Sequence, residues 1–207
     1  PAQNGVAVTE LASITAVTCQ YLIERIYVGA KHNLCLSKDG KLLAFGANHR
    51  RQCGLYQEGL TRVEQPTLLP FFLSIEAKLR FVATKHYHSV CIDDKDTLYC
   101  FGKNHKYQVG NVKKTRKVTV FQQVYAEKHA QTRVQHASVG LDHTVLLTDR
   151  NRVIAFGGNE FRQSRPSKSS KFVKTPHTLT AKETQVFQGQ ISRVIAGEHT
   201  TLIIVGS

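Results

Sequence analysis

The stretch GAKHNLCLSKDGKLLAFGANHRRQCG, Gly29 to Gly54, decides the fold because it comes back. KHYHSVCIDDKDTLYCFGKNHKYQVG, Lys85 to Gly110, and GLDHTVLLTDRNRVIAFGGNEFRQSR, Gly140 to Arg165, repeat it. GEHTTLIIV, Gly197 to Val205, repeats its opening. His32, His88, His143 and His199 fall at steps of 56, 55 and 56 residues. Phe45-Gly46, Phe101-Gly102 and Phe156-Gly157 keep the same spacing, as do Asn48, Asn104 and Asn159 and then Gln52, Gln108 and Gln163. A period of about 55 residues points to stacked or radial repeats.

Each copy reads as a β-hairpin. Leu34-Cys35-Leu36 runs into Asp39-Gly40, and Leu42-Leu43-Ala44-Phe45 follows. Asp-Gly between apolar runs predicts a tight primed turn, which needs positive φ. The corresponding turns at 93–96 and 149–151 are polar but longer or less ideal. Gly46, Gly102 and Gly157 close the second strand, where a positive φ or a close backbone approach would exclude a side chain.

Further strands precede and follow each hairpin. Leu79–Ala83, Val134–Gly140 and Ile191–Gly197 lead in, and Pro66–Leu69, Phe121–Val124 and Pro176–Leu179 lead out. Each period thus offers about four short strands, one blade of a β-propeller. The fold class read from this pattern is all-β. The repeats run over about 24–78, 79–133 and 134–190 with a partial one at 191–207, and 1–23 is the back half of a preceding repeat. No segment keeps a helical period, although 125–131 would make one turn. Phe45, Phe101 and Phe156, with Leu36, Ile92 and Leu147, are the expected core.

The chain has 207 residues, 41% of them hydrophobic, enough to bury a core. No apolar run approaches the roughly 20 residues a membrane helix needs, so no membrane insertion is expected. No secretory signal opens the sequence. Five cysteines form no CxxC pair, and Cys35, Cys91 and Cys100 alternate with Leu or Ala at their repeat positions, as small core hydrophobes do. Unpaired thiols suggest a reducing compartment, nuclear or cytoplasmic, with an organellar site as the alternative.

At this point the residues carry a resemblance. G-x-x-H-[NST], a hairpin, then F-G-x-N-x-x-x-Q-x-G resembles the repeat of the regulator of chromosome condensation family. Lys85, Arg165 and the shortened Gly197–His199 spacing depart from it. The resemblance implies a seven-bladed propeller. Seven blades at this period would need roughly 385 residues, so about four are present, and an open arc of them leaves two sheet faces uncovered. For the founding branch it also implies guanine-nucleotide exchange on a Ran-like small GTPase, with chromatin attachment. The ultraviolet-B receptor of the same fold senses light through tryptophan, and this chain has none.

Net charge is +13, and its placement matters more than its size. Lys103, Lys106, Lys113, Lys114, Arg116 and Lys117 lie in one acid-free stretch, and Arg162, Arg165, Lys168, Lys171 and Lys174 in another. Both are connections, where binding residues concentrate. Arg50, Arg51 and Lys106 follow the Phe-Gly-x-Asn motif and would line one rim. The expected partner-binding set is therefore Arg50, Arg51, Lys106, Lys113, Lys114, Arg116, Lys117, Arg165, Lys168 and Lys171. Ser164, Ser167, Ser169 and Ser170 lie in the second cluster, where phosphate would offset its charge.

The four histidines read as structural, each holding a blade turn by a repeated hydrogen bond. Radial symmetry would separate them, so no shared metal is expected. Asp142-His143 and Glu198-His199 resemble catalytic pairs, but no Ser or Cys nucleophile accompanies them. No phosphate-binding loop is present, and no cofactor is implied. The leading function is a non-enzymatic module whose basic loops bind an acidic partner: chromatin, nucleic acid or an acidic protein surface. The alternatives are an exchange factor for a small GTPase and a structural subunit of a large assembly.

Overall fold

The structure, a computed structural model, describes residues 19–110, 117–123, 133–185 and 188–206. Three four-stranded antiparallel sheets follow one another in strict sequence order. The first holds β1 (Ile23–Val28), β2 (His32–Ser37), β3 (Leu42–Ala47) and β4 (Arg62–Leu68). The second holds β5 (Leu79–Lys85), β6 (His88–Asp93), β7 (Leu98–Lys103) and β8 (Lys117–Gln123). The third holds β9 (Val134–Val139), β10 (His143–Thr148), β11 (Val153–Gly158) and β12 (Phe172–Thr178). A two-stranded sheet, β13 (Gln190–Ala196) and β14 (Thr201–Gly206), begins a fourth blade. The architecture is that of an incomplete β-propeller. No helix among the described residues is long and apolar enough to cross a membrane.

The core lies between blades, not within them. Leu34, Leu36, Leu42 and Ala44 of the first blade meet Val82, Cys91, Tyr99 and Phe101 of the second. Val90, Ile92 and Cys100 meet Leu146, Ile154 and Phe156 at the next junction, and Val145 and Leu147 meet Ile191 and Val194 at the third. Alternate strand residues thus face opposite neighbours, so both faces of a middle blade are apolar. That explains hydrophobic runs where a half-solvated sheet would alternate.

Leu36, Ile92, Leu147, Phe101 and Phe156 are buried as expected. Phe45 is only half-buried. The repeat phenylalanine faces the preceding blade, and no complete blade precedes the first among the described residues. Ile26 and Val28 are exposed for the same reason, and Leu202 and Ile204 are exposed at the far end.

The first hairpin turn differs from the expectation of a tight primed turn. All three hairpins have the same longer turn: Gly40, Asp96 and Asn151 donate N–H to the carbonyls of Ser37, Asp93 and Thr148. Each takes a left-handed φ, of 79°, 63° and 57°. This is a three-residue loop with one left-handed position, for which Asp and Asn substitute for Gly at modest cost. Side chains hold it: Lys41 N–H donates to Ser37 Oγ (2.9 Å), Thr97 N–H to Asp93 Oδ1 (2.7 Å) and Arg152 N–H to Thr148 Oγ1 (3.2 Å).

Two one-turn helices had no sequence expectation, α1 (Pro70–Ser74) and α2 (Ala181–Thr184). One turn is too short to show a period; the available signals were Pro70 at the helix start and the Thr180–Glu183 capping box. The turn considered at 125–131 lies outside the described residues, as do residues 1–18 of the proposed preceding repeat.

Gly157 shows why the Phe-Gly pair recurs. Its φ is 109°, and a Cβ there would lie 2.5 Å from the Asp142 carbonyl oxygen and 2.8 Å from His143 Cα. Gly102 and Gly46 have φ of 105° and 104° with the same kind of backbone clash. Gly157→Ala is expected to cost more than about 2 kcal/mol, since backbone strain and overlap with main chain add. Chemical denaturation of the variant checks this, and an unchanged midpoint would contradict the geometry.

Candidate functional site

Antiparallel order places the connections after β1 and β3, and their equivalents, on one rim of the arc. This rim is the candidate site. Its loops are built by the Asn and Gln of the repeat. Asn48 Oδ1 accepts from Cys53 N–H, and its amide donates to the carbonyls of Leu55 (2.9 Å) and Leu60 (3.2 Å). Asn159 accepts from Ser164 and Arg165 and donates to Lys168 (3.0 Å) and Ser170 (2.9 Å). Gln52, Gln108 and Gln163 accept the N–H of Arg50, Lys106 and Phe161. Between Asn and Gln, Arg51, Tyr107 and Arg162 adopt left-handed φ near 63°. Asn159→Ala strips four partners from one loop, and about 1–3 kcal/mol is expected for each buried group left unpaired. Amide exchange of residues 159–171 should rise; unchanged protection would contradict the clamp.

The repeat histidines join blades. His88 Nε2 lies 3.1 Å from Thr144 Oγ1, whose hydroxyl donates to the Gln108 carbonyl, so the ring donates to it. His143 makes the same link to Thr201 (3.1 Å), which donates to Gln163. His32 reaches Thr84 (2.9 Å) and Ser89 (3.2 Å). The expected bond therefore exists, but it reaches the next blade and does not hold the turn of its own. Nδ1 of all three rings has no partner. The ring edge sits where a Cβ on Gly29 or Gly140 would be, which is why glycine stands three residues before the histidine. Burial pushes His32 and His143 down to about 4 and His88 to about 3.

His199 does not belong to this series. Gly197 N–H donates to the Thr200 carbonyl as Gly140 does to His143, so Thr200 takes the histidine's place. The fourth copy puts its histidine one residue early, and His199 instead lies half-buried on the rim against Phe161, ring centroids 4.6 Å apart.

Neither presumed acid–histidine pair forms. Asp142, buried at 5% exposure, bonds Lys103 Nζ (3.2 Å), Lys106 Nζ (3.2 Å) and Gln108 Nε2 (3.2 Å). Burial opposes its charge, but Lys103 and Lys106 together outweigh that and hold the carboxyl below its usual value. Glu198 faces His86 (3.8 Å). The Cys53 thiol is pushed up to about 12 by burial. The five cysteines are free.

The expected binding cations divide into two kinds. Lys106 is engaged by Asp142 and Glu160 (3.0 Å), and Arg165 by Glu183 (3.4 Å). Arg51 lies 4.7 Å over the Tyr56 ring and donates to the Gln57 carbonyl. Arg50, Lys168 and Lys171 are exposed on the rim. Lys113, Lys114 and Arg116 lie outside the described residues, and Lys117 opens β8. Ser164 is fully buried and donates to the Gly158 carbonyl (2.8 Å), so the fold closes it to modification. Ser167 donates to Glu183. The sequence reading passed over Lys31, Tyr56 and Tyr87 on this rim. Lys31 and Tyr87 share the position immediately before the repeat histidine, which offered a signal; Tyr56 offered none.

A family model described as the regulator of chromosome condensation (RCC1) repeat matches residues 95–147, and a second of the same description matches 134–163. The mouse Protein RCC2 is 27% identical over 144 residues, 70% of this chain and 26% of that protein. The Saccharomyces cerevisiae guanine nucleotide exchange factor SRM1 is 24% identical over 178 residues, 82% of this chain and 34% of that protein. Among solved structures, Prp20p of S. cerevisiae, studied for its binding to Gsp1p and histones, superposes with a TM-score of 0.75 at 21% identity over 89% of this chain and 44% of its own. Human WBSCR16 gives 0.70 at 18% identity, over 89% and 45%. The chain spans less than half the length of each of these proteins. With the repeat glycines and loop amides in register, the chain carries repeats of the regulator of chromosome condensation family over residues 95–163.

Proposed function

We propose that the chain is a propeller interaction module that binds an acidic macromolecular partner through this rim. One observation carries the reading. Lys103 and Lys106 neutralise the buried Asp142, and Lys106 also meets Glu160, while Lys31, Arg50, Arg162, Lys168 and Lys171 stay exposed. The rim therefore keeps an outward positive field, which steers acidic partners. Lys113, Lys114 and Arg116 precede β8 in the sequence and would add their charge. A nuclear or cytoplasmic setting agrees with this reading.

Exchange on a Ran-like GTPase is the second reading, favoured by the resemblance to an exchange factor. The near-constant repeat length leaves little room for a nucleotide-displacing wedge within these blades. Capture from lysate, with and without nuclease, separates the two. Acidic partners lost at raised salt support the proposed module. Retention of a small GTPase alone, with release on nucleotide addition, would replace it with the exchange reading.

A further inference from the structure

We infer that the rim takes a single-stranded nucleic acid, bound through base stacking and phosphate contacts without sequence readout. This rests on the acidic-partner reading and narrows it. A charged rim alone would suit any polyanion; the aromatic side chains among its cations make the difference. Tyr56 is 68% exposed and Phe161 62% exposed, so both rings are open to a partner. The Arg51 guanidinium lies over the Tyr56 ring, and His199 lies tilted against Phe161. At the first blade junction His49 meets Tyr87 edge-on at 6.0 Å, with Lys103 Nζ 5.5 Å from the same ring.

These contacts recur by construction. At each junction a loop after the third strand meets the loop after the first strand of the next blade: His49 with Tyr87, Lys106 with Asp142, Phe161 with His199. Ring pairs at the two outer junctions therefore flank an ion pair at the middle one. Unpaired bases offer faces to such platforms, whereas a duplex buries them. Arg50 and Arg162 stand beside the platforms for the phosphates. The amides that would read base edges are withheld, because Asn48 and Asn159 bond their own loops and Gln52 and Gln163 are buried with their carbonyl oxygens accepting from Arg50 and Phe161. Binding should accordingly be indifferent to sequence.

The test is fluorescence anisotropy of the purified chain with labelled oligothymidylate of about 20 nucleotides, an abasic strand of equal length and a duplex. Oligothymidylate is expected to bind at least about tenfold tighter than either competitor, since stacking adds to the shared phosphate contribution. The double variant Tyr56→Ala, Phe161→Ala should lose about tenfold or more on oligothymidylate and nothing on the abasic strand. Both side chains are exposed, so folding is retained, and Tyr56→Trp, Phe161→Trp should restore binding. Equal affinity for the thymidine and abasic strands, or an unaffected alanine variant, overturns the inference. If the strands bind equally and Lys168→Glu, Lys171→Glu abolishes both, the acidic-partner reading survives alone. If none of the three strands binds, the inference fails, and the capture from lysate decides the acidic-partner reading.

Discussion

Phe156→Ala and Phe101→Ala are each expected to destabilise the chain by about 3–5 kcal/mol, the range for emptying an aromatic site that cannot collapse. Phe156 is 0% and Phe101 1% exposed, and each fills a junction from the side of the later blade. Neighbouring sheets are tied by their own hydrogen bonds and cannot close independently over the cavity. Phe45→Ala should cost clearly less, because Phe45 is only half-buried. Urea titration of the three variants gives the ranking. Losses below about 1 kcal/mol at all three would mean the strand faces are wrongly assigned.

The second large effect is acid destabilisation through the interblade histidines. In the fold His32, His88 and His143 titrate at about 4, 3 and 4, while the unfolded chain protonates them near the ordinary value of 6.5. Between those values the unfolded state binds more protons, so stability falls as pH falls from about 6.5 towards 4 and is flat above that window. At 1.36 kcal/mol per pH unit each ring contributes on the order of 3 kcal/mol across it. Asp142 and Glu183 are held below their usual values and lose their contribution at lower pH still, which keeps the two effects apart. His88→Gln should lower stability at pH 7 and flatten the slope between pH 6.5 and 4. A melting temperature that does not move across the window would contradict buried neutral rings.

The blade was legible from sequence because its demands are local and periodic. Gly157 must lack a side chain where the backbone meets Asp142, and Asn159 must bond its own loop, so both recur with the period. Contacts between blades were not legible. That His88 bonds Thr144 needs the next sheet in place, although the hydroxyl following the next histidine was visible at a fixed position. The fourth histidine misled for a physical reason: equivalence is set by the Gly197–Thr200 hydrogen bond, and one residue of offset moves a side chain off the junction. Charge was the least legible. Lys106 and Arg165 read as free cations, and only the fold reveals Asp142 and Glu183 beside them. Cation count along the chain overstates the field where tertiary contacts place a carboxylate.

The rim as binding surface is tested most directly by reversing only the cations that the fold leaves unengaged or that precede β8 in the sequence. Lys113, Lys114, Arg116, Lys168 and Lys171 would be changed to Glu, with Lys106 and Arg165 kept to preserve their ion pairs. The expected result is loss of the captured acidic partner from a monodisperse variant with unchanged melting temperature; wild-type capture by that variant would contradict the rim as the binding surface.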